Sequence, residues 1–352
     1  MILSLSRPFT SRHTLPSLAL FFLTIILLAP CVQARTVPIL RDTAKRVVIH
    51  QNQSVAISTR TTVPIVGQSR SISQNKTRVT PTQTAARKPI GDIRQKISAK
   101  SAIILDAQNG RTLFSRSPDL PRQPASTIKI LTGAIALKSL SGQEQVAVSN
   151  KAARQPRSKI YLDQRKQYKA DDLINAVLLA SANDASVALA EKIAGSEQSF
   201  AKMMTQRAQL WGAKNTICKT ASGLTAKGQT STARDLAIIF RHVMKDKDFS
   251  RRMGKTKALT TDGTLLRNHN KALWQVEGTE GGKTGYTNAA RQTYVGKFKR
   301  GNDEIVVAIM GSETMWSDIK HLVEYGFDRK LALRSNPEPK LIAGVRSDSH
   351  TR

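Results

Sequence analysis

Residue types that usually mark cofactors and cross-links are scarce in this sequence. Of 352 residues two are cysteine and six are histidine. No His-x-x-x-His or paired-Cys spacing occurs, so neither a metal site nor a cofactor is expected. Cys31 falls in an apolar N-terminal run and Cys218 far downstream, and removal of the leader would leave no intramolecular disulfide. Cys218 reads as a small buried apolar residue rather than a reactive thiol. Acidic residues are also few, 25 against 55 Lys and Arg, for a formal net charge of +30. That excess raises nucleic acid as a partner, but no stretch alternates basic and aromatic residues and no nucleic-acid fold signature is present, so none is expected.

The N-terminus gives the charge a different setting. Arg7, Arg12 and His13 precede the apolar run from Leu15 to Ala29, and Val32, Gln33 and Ala34 follow it with a small-residue cleavage pattern. Residues 1–34 therefore read as a secretory signal, which predicts an exported protein of the periplasm or cell envelope. The uncharged stretch from Thr14 to Ala34 is also just long enough to span a bilayer, so retention as a membrane tether is the alternative. Residues 35–96 contain no Phe, Trp or Tyr and are rich in Thr, Ser, Gln, Arg and Lys. Such a segment buries too little apolar surface to offset its ordering entropy and reads as a disordered basic linker. As a coil of about 60 residues it would reach roughly 45 Å. It serves either as a tether drawn to anionic envelope polymers or as a plain solvated spacer.

Folded chain is expected from residue 97 to 332, followed by a polar tail at 333–352. Ala102–Asp106 and Arg111–Ser115 are short apolar runs joined through Asn109 and Gly110, a strong hairpin signal. The segment from Pro124 to Leu137 predicts a buried helix opened by Pro121 and Pro124. Lys159–Leu162 reads as a short strand. Asp171–Ala180 and Ala185–Ala194 predict helices, with Asn183 and Asp184 suited to cap the second. A further helix is expected from Glu197 to Trp211 and another from Thr232. Gln292–Phe298 and Glu304–Met310 predict a strand meander, and Met315–Phe327 a closing amphipathic helix. The order is that of an α+β domain.

Within this frame Ser126 and Lys129 stand a helical turn apart, a spacing that offers a nucleophile with its own base. The same Ser-x-x-Lys pattern recurs at Ser73/Lys76, Ser199/Lys202 and Ser317/Lys320, so alone it decides little. Only Ser126 is followed at domain-scale distances by Ser181-Ala182-Asn183 and Lys283-Thr284-Gly285. Ser181 and Asn183 fall in the break between two helices, and Lys283 to Tyr286 lead into the meander. Lys129 can deprotonate Ser126 only when neutral, and burial beside Lys283 would hold it so. Ser181 could relay a proton and Asn183 hold a peptide carbonyl. Lys283 and Thr284 could grip a terminal carboxylate, Gly285 lets a substrate backbone lie close, and the N–H groups of Ser126 and Tyr286 would form an oxyanion hole.

With those motifs, and with Ser222-Gly223-Leu224, Ser231 to Leu236, Asn268-His269-Asn270, Thr287 and Glu324 to Phe327, the chain from about 98 to 330 resembles the low-molecular-mass penicillin-binding proteins, the serine-type D-alanyl-D-alanine carboxypeptidases. The resemblance implies the penicilloyl-serine transferase (β-lactamase/transpeptidase-like) fold, an antiparallel five-stranded sheet flanked by helices with a helical region between sheet segments. It implies peptidoglycan stem peptides as substrates, β-lactam antibiotics as covalent inhibitors, and release of the terminal D-alanine through an acyl-Ser126 intermediate. Three features depart from the family pattern. Arg291 stands where glycine is usual, either adding a carboxylate contact or facing solvent. Gln164 to Gln167 replace a Gly-Glu turn, and the C-terminal β-domain and amphipathic anchor of many carboxypeptidases have no counterpart. An endopeptidase of the same family, which cuts cross-links, therefore stands as the alternative. A class A-like β-lactamase fits less well, because residues 212–227 hold no carboxylate to activate a deacylating water. A non-catalytic wall-binding protein is the remaining alternative.

Overall fold

The computed structural model describes residues 92–335. The expected leader at 1–34, nearly all of the linker and nearly all of the tail lie outside the described residues. Strand β1 (Ser101–Asp106) pairs with β2 (Thr112–Arg116) across the Asn109-Gly110 turn. Helix α1 (Lys129–Ser139) follows a 3-10 turn over Ala125–Ile128. Next come β3 (Gln145–Ala147), α2 (Asn150–Ala153) and β4 (Gln167–Lys169). The helical region continues with α3 (Ala170–Leu178), α4 (Asn183–Ala194), α5 (Glu197–Leu210), α6 (Ala233–Val243) and α7 (Lys247–Met253). Strands β5 (Lys257–Leu259) and β6 (Leu265–Arg267) form a small hairpin ahead of α8 (Ala272–Gln275). The chain then runs through β7 (Thr279–Thr287), β8 (Arg291–Arg300) and β9 (Asp303–Ser312) and closes with α9 (Met315–Ser335).

The main sheet is antiparallel with strand order β2-β1-β9-β8-β7, so the first hairpin and the last meander share one sheet although the helical region separates them in sequence. Both faces are covered, which explains why β1 and β9 read as nearly continuous apolar runs. Alternate residues of each strand enter different cores. Ile104, Ile305 and Val307 pack with Ile319, Leu322 and Val323 of α9, whereas Ile103, Val306 and Ala308 pack with Leu236, Ile239 and Phe240 of α6.

Several local expectations need correction. Lys159–Leu162 is not a strand. It is a loop whose Ile160 and Leu162 N–H groups donate to the Asp184 carboxylate, and the strand of that region is β4, paired with β3. Asp184 thus serves the loop as well as the helix: α4 starts at Asn183 with Ala182 as its N-cap residue, and Asp184 Oδ1 also accepts from the Ala185 N–H at 2.9 Å. The buried helix over 124–137 opens instead as the 3-10 turn, and α9 runs past Phe327 to Ser335. Within the segment read as linker, Ile93, in a short 3-10 turn (Ile93–Lys96), is buried with Ile97 against the α9 face of the sheet.

The start of the domain is fastened by Asp318 of α9, which is fully buried. Its carboxylate accepts from the Ser98 and Ala99 N–H groups at 2.9 and 2.8 Å and from the Ser98, Ser312 and Thr314 hydroxyls. Replacing it strands several buried donors. Asp318→Ala is expected to lower unfolding free energy by about 3 kcal/mol, read as a reduced urea midpoint. A midpoint equal to that of the wild type would contradict this role.

Candidate active site

Ser126 sits in the Ala125–Ile128 turn, which is clamped from two sides. Thr127 and Thr293 both donate their hydroxyls to the Pro124 carbonyl, at 2.5 and 2.9 Å, tying the turn to β8. Gly285 of β7 lies so close that an added Cβ would come within 2.8 Å of the Ser126 nitrogen and 2.9 Å of the Thr127 nitrogen. Gly223, at φ +76°, lets the segment after α5 press on the Ala125 carbonyl in the same way. Two site positions carry backbone strain without being glycine, Ala125 at φ +51° and Ser181 at φ +59°.

The turn places Ser126 Oγ 2.9 Å from Lys129 Nζ. Lys129 is completely buried, and its amine also donates to Asn183 Oδ1 at 2.7 Å and to the Ser222 carbonyl at 2.6 Å. Those two partners can only accept. A neutral amine has two N–H bonds to give them, and its lone pair is then left facing the Ser126 hydroxyl, which donates to it. Electrostatics favour that state. Burial first, and then the charge of Lys283, hold the Lys129 pKa well below its ordinary value, against a smaller opposing pull from Asp184.

Lys283, on β7, is also buried, and burial pushes it down to about 7. Its Nζ donates to Ser181 Oγ at 2.9 Å and to the Thr284 carbonyl at 3.0 Å. Ser181 occupies the break between α3 and α4. The two lysines thus lie behind the site, while Ser126, Ser181, Asn183, Thr284, Gly285 and Tyr286 line an open cleft of about 450 Å³. All eight residues singled out in the sequence therefore meet in one place. Asn183 differs in detail: its Nδ2 donates to the Pro156 and Arg157 carbonyls at 2.9 and 3.1 Å, so both of its N–H bonds are already made within the protein. Arg291 is not among the cleft-lining residues; it is exposed and paired with Glu313 through two bonds of 3.0 and 2.6 Å, with its guanidinium 6.0 Å from the centroid of the Tyr286 ring.

Sequence reasoning missed several members of the site. The Ser222 carbonyl is a backbone acceptor, which residue type does not reveal, although Ser222-Gly223-Leu224 marked the segment. Arg157, Ser158, Gln292, Met315 and Trp316 complete the cleft wall, and no carboxylate lines it among the described residues. His269 lines it too. Burial, then the Lys283 and Lys129 charges, push its pKa to about 4, leaving the ring neutral near pH 7. Among the described residues no His, Cys, Asp and Glu group could hold a metal ion, and no helix is long and apolar enough to cross a membrane.

Residues 82–314 match the family described as D-alanyl-D-alanine carboxypeptidase. The chain is 34% identical over 240 residues to the D-alanyl-D-alanine carboxypeptidase DacB2 of Mycobacterium tuberculosis, a match covering 65% of this chain and 82% of that protein. It is 32% identical to DacF of Bacillus subtilis, covering 61% of this chain but only 58% of the relative. The fold superposes on a crystal structure of D-alanyl-D-alanine carboxypeptidase from Mycobacterium tuberculosis with a TM-score of 0.64 at 32% identity, over 69% of this chain and 95% of the other. It also superposes on penicillin-binding protein D2 of Listeria monocytogenes in its ampicillin-bound form, with a TM-score of 0.61 at 27% identity, over 66% and 98% of the two chains.

The lysine pair generates a pH signature. With Lys129 as the base of acylation, the rate on the free enzyme would rise with pH as that amine loses its proton. With the Lys283 charge attracting a carboxylate, the rate would fall again as pH climbs through about 7. The second-order rate of penicillin acylation is expected to trace this bell, and Lys283→Arg, which cannot lose its charge, to lack the descending limb. A descending limb that persists in Lys283→Arg would contradict the assignment.

Proposed function

The chain belongs to the D-alanyl-D-alanine carboxypeptidase family, and on that premise we propose that it is a serine peptidase releasing the terminal D-alanine of peptidoglycan stem peptides. The observation that carries this reading is the buried Lys129 amine, held by two acceptors and lying 2.9 Å from Ser126 Oγ. Ser126 Oγ attacks the carbonyl carbon of the penultimate residue and passes its proton to Lys129 Nζ. The N–H groups of Ser126 and Tyr286 receive the developing oxyanion. The C–N bond then breaks, and the proton taken by Lys129 passes through the hydroxyl of Ser181, which Lys283 holds in place, to the leaving amine, so that Lys129 is neutral again. Water then gives a proton to Lys129 as it attacks the resulting ester, the ester C–O bond breaks, and that proton returns to Ser126 Oγ. Thr284 holds the terminal carboxylate, and the charge of Lys283 just behind it favours an anion there. Asn183 acts foremost as the acceptor that orients Lys129, since its N–H bonds are made elsewhere.

β-Lactams follow the first half of this course and become covalent inhibitors. With no carboxylate in the cleft wall to activate water against that ester, turnover as a β-lactamase is disfavoured. The protein acts after export, in the periplasm or envelope, with the basic segment before the domain drawn to anionic wall polymers.

Labelled penicillin is expected to acylate the wild type, and Ser126→Ala to abolish both labelling and D-alanine release while leaving thermal unfolding unchanged. Labelling that survives Ser126→Ala would discard the assignment. Mass spectrometry of digested peptidoglycan separates the two family activities: monomers shortened by one alanine mean carboxypeptidase, whereas dimers turned into monomers mean endopeptidase. For the basic segment, deletion of residues 35–91, which spares Ile93, should weaken sedimentation with cell walls and leave cleavage of soluble peptides intact. Unchanged wall binding counts against the tether.

A further inference from the structure

Beside the catalytic cleft lies a second groove, of about 510 Å³, lined by Thr256, Lys257, Arg267, Lys271, Trp274 and the Asn268-His269 backbone turn. His269 also lines the cleft, so the two depressions lie on either side of one residue. The turn between them is fixed: the His269 N–H donates to the Leu179 carbonyl just before Ser181, and Asn268 Nδ2 donates to the Lys255 carbonyl at 2.8 Å.

The composition of this groove is costly for a surface that binds nothing. Lys257 and Arg267 are register partners across the β5–β6 hairpin, so two exposed cations stand directly opposite each other. Like charges in that position destabilise a strand pair. Lys271 adds a third cation, and among the described residues none of the three forms an ion pair. Trp274 is 56% exposed, and Leu259 and Leu265, the next pair on the same face of the hairpin, are 67% and 45% exposed. An indole with neighbouring unpaired cations suits a ligand that offers both an apolar sugar face and carboxylates.

We propose that this groove is an extended substrate subsite, in which Trp274 stacks on an amino sugar of the glycan strand while Lys257, Arg267 and Lys271 hold carboxylates of the stem peptide attached to it. The proposal rests on the peptidoglycan reading of the adjoining cleft and names what that cleft recognises beyond the scissile bond. Lys257, Arg267, Lys271 and Trp274 lie on the surface, so their replacement leaves the core and the Ser126 turn untouched. In this arrangement the enzyme prefers substrate still joined to glycan over a free peptide with the same terminus.

The test measures kcat/KM of the full chain on two soluble substrates, a disaccharide-linked pentapeptide and a short acetylated peptide ending in D-Ala-D-Ala. Trp274→Ala, and separately Lys257→Glu with Arg267→Glu, are expected to lower kcat/KM about tenfold on the glycan-linked substrate, chiefly through KM. Cleavage of the short peptide and penicillin acylation should stay at wild-type values, showing that the fold and serine site are intact. Equal losses on both substrates, or no loss on either, would overturn the subsite. A change confined to sedimentation with anionic phospholipid vesicles would also overturn it and assign the groove to a membrane surface. Failure of the wild type to cleave either substrate would instead strike the peptidoglycan reading, which keeps the two failures apart.

Discussion

Everything in the site depends on the hydrogen bonding of one buried amine. Lys129 has three partners, and two of them, Asn183 Oδ1 and the Ser222 carbonyl, have no proton to give. A lysine in water would satisfy them as an ammonium, but this one has no water around it and a second buried lysine nearby. Desolvation and like charge both penalise the protonated form, and the geometry of the acceptors then dictates where the lone pair points. The amine proposed as base stands at the first residue of α1, directly after the turn that carries Ser126.

Holding that arrangement requires segments remote in sequence to meet within hydrogen-bond distance. The sheet order explains how. The edge strand β7 comes late in the chain, the Ser126 turn comes early, and the α3–α4 break lies between them, yet all three abut because the helical region is inserted between halves of one sheet. Close approach is secured by glycine where no side chain fits, at 223 and 285, and by hydroxyls of Thr127 and Thr293 sharing one proline carbonyl. Strain accumulates where function needs an unusual backbone, at Ala125 and Ser181. The extensive two-sided core supplies the rigidity that keeps those positions in place.

Much of this was legible in the sequence because it is carried by side-chain identity. The three motifs, the Asn109-Gly110 hairpin, the final meander and the closing helix all follow from residue types with narrow structural meaning. The parts that were not legible share a physical cause: they depend on which distant group claims a side chain or a backbone atom. Asp184 reads as a helix cap and does accept from the Ala185 N–H, but the loop from Lys159 to Leu162 offers it two further N–H groups, and that claim keeps the apolar run from being a strand. Asn183 reads as free to meet a substrate, whereas the Pro156 and Arg157 carbonyls accept both of its amide N–H bonds. The Ser222 carbonyl is invisible to any reading of residue type. Ile93 looked like part of a polar linker because a single isoleucine among charged neighbours gives no periodic signal, whereas in the fold it finds the α9 face of the sheet.

The most direct test of the central claim is to observe the charge of the Lys129 amine itself. Side-chain NMR of the isotope-labelled lysines in the intact protein, with the Lys129 signal assigned by its loss in Lys129→Met, would report its protonation across the pH range. A resonance in the neutral-amine position at pH 7.5 is the result this account predicts. An ammonium signal that persists to pH 9 would contradict it and leave Ser126 without a base.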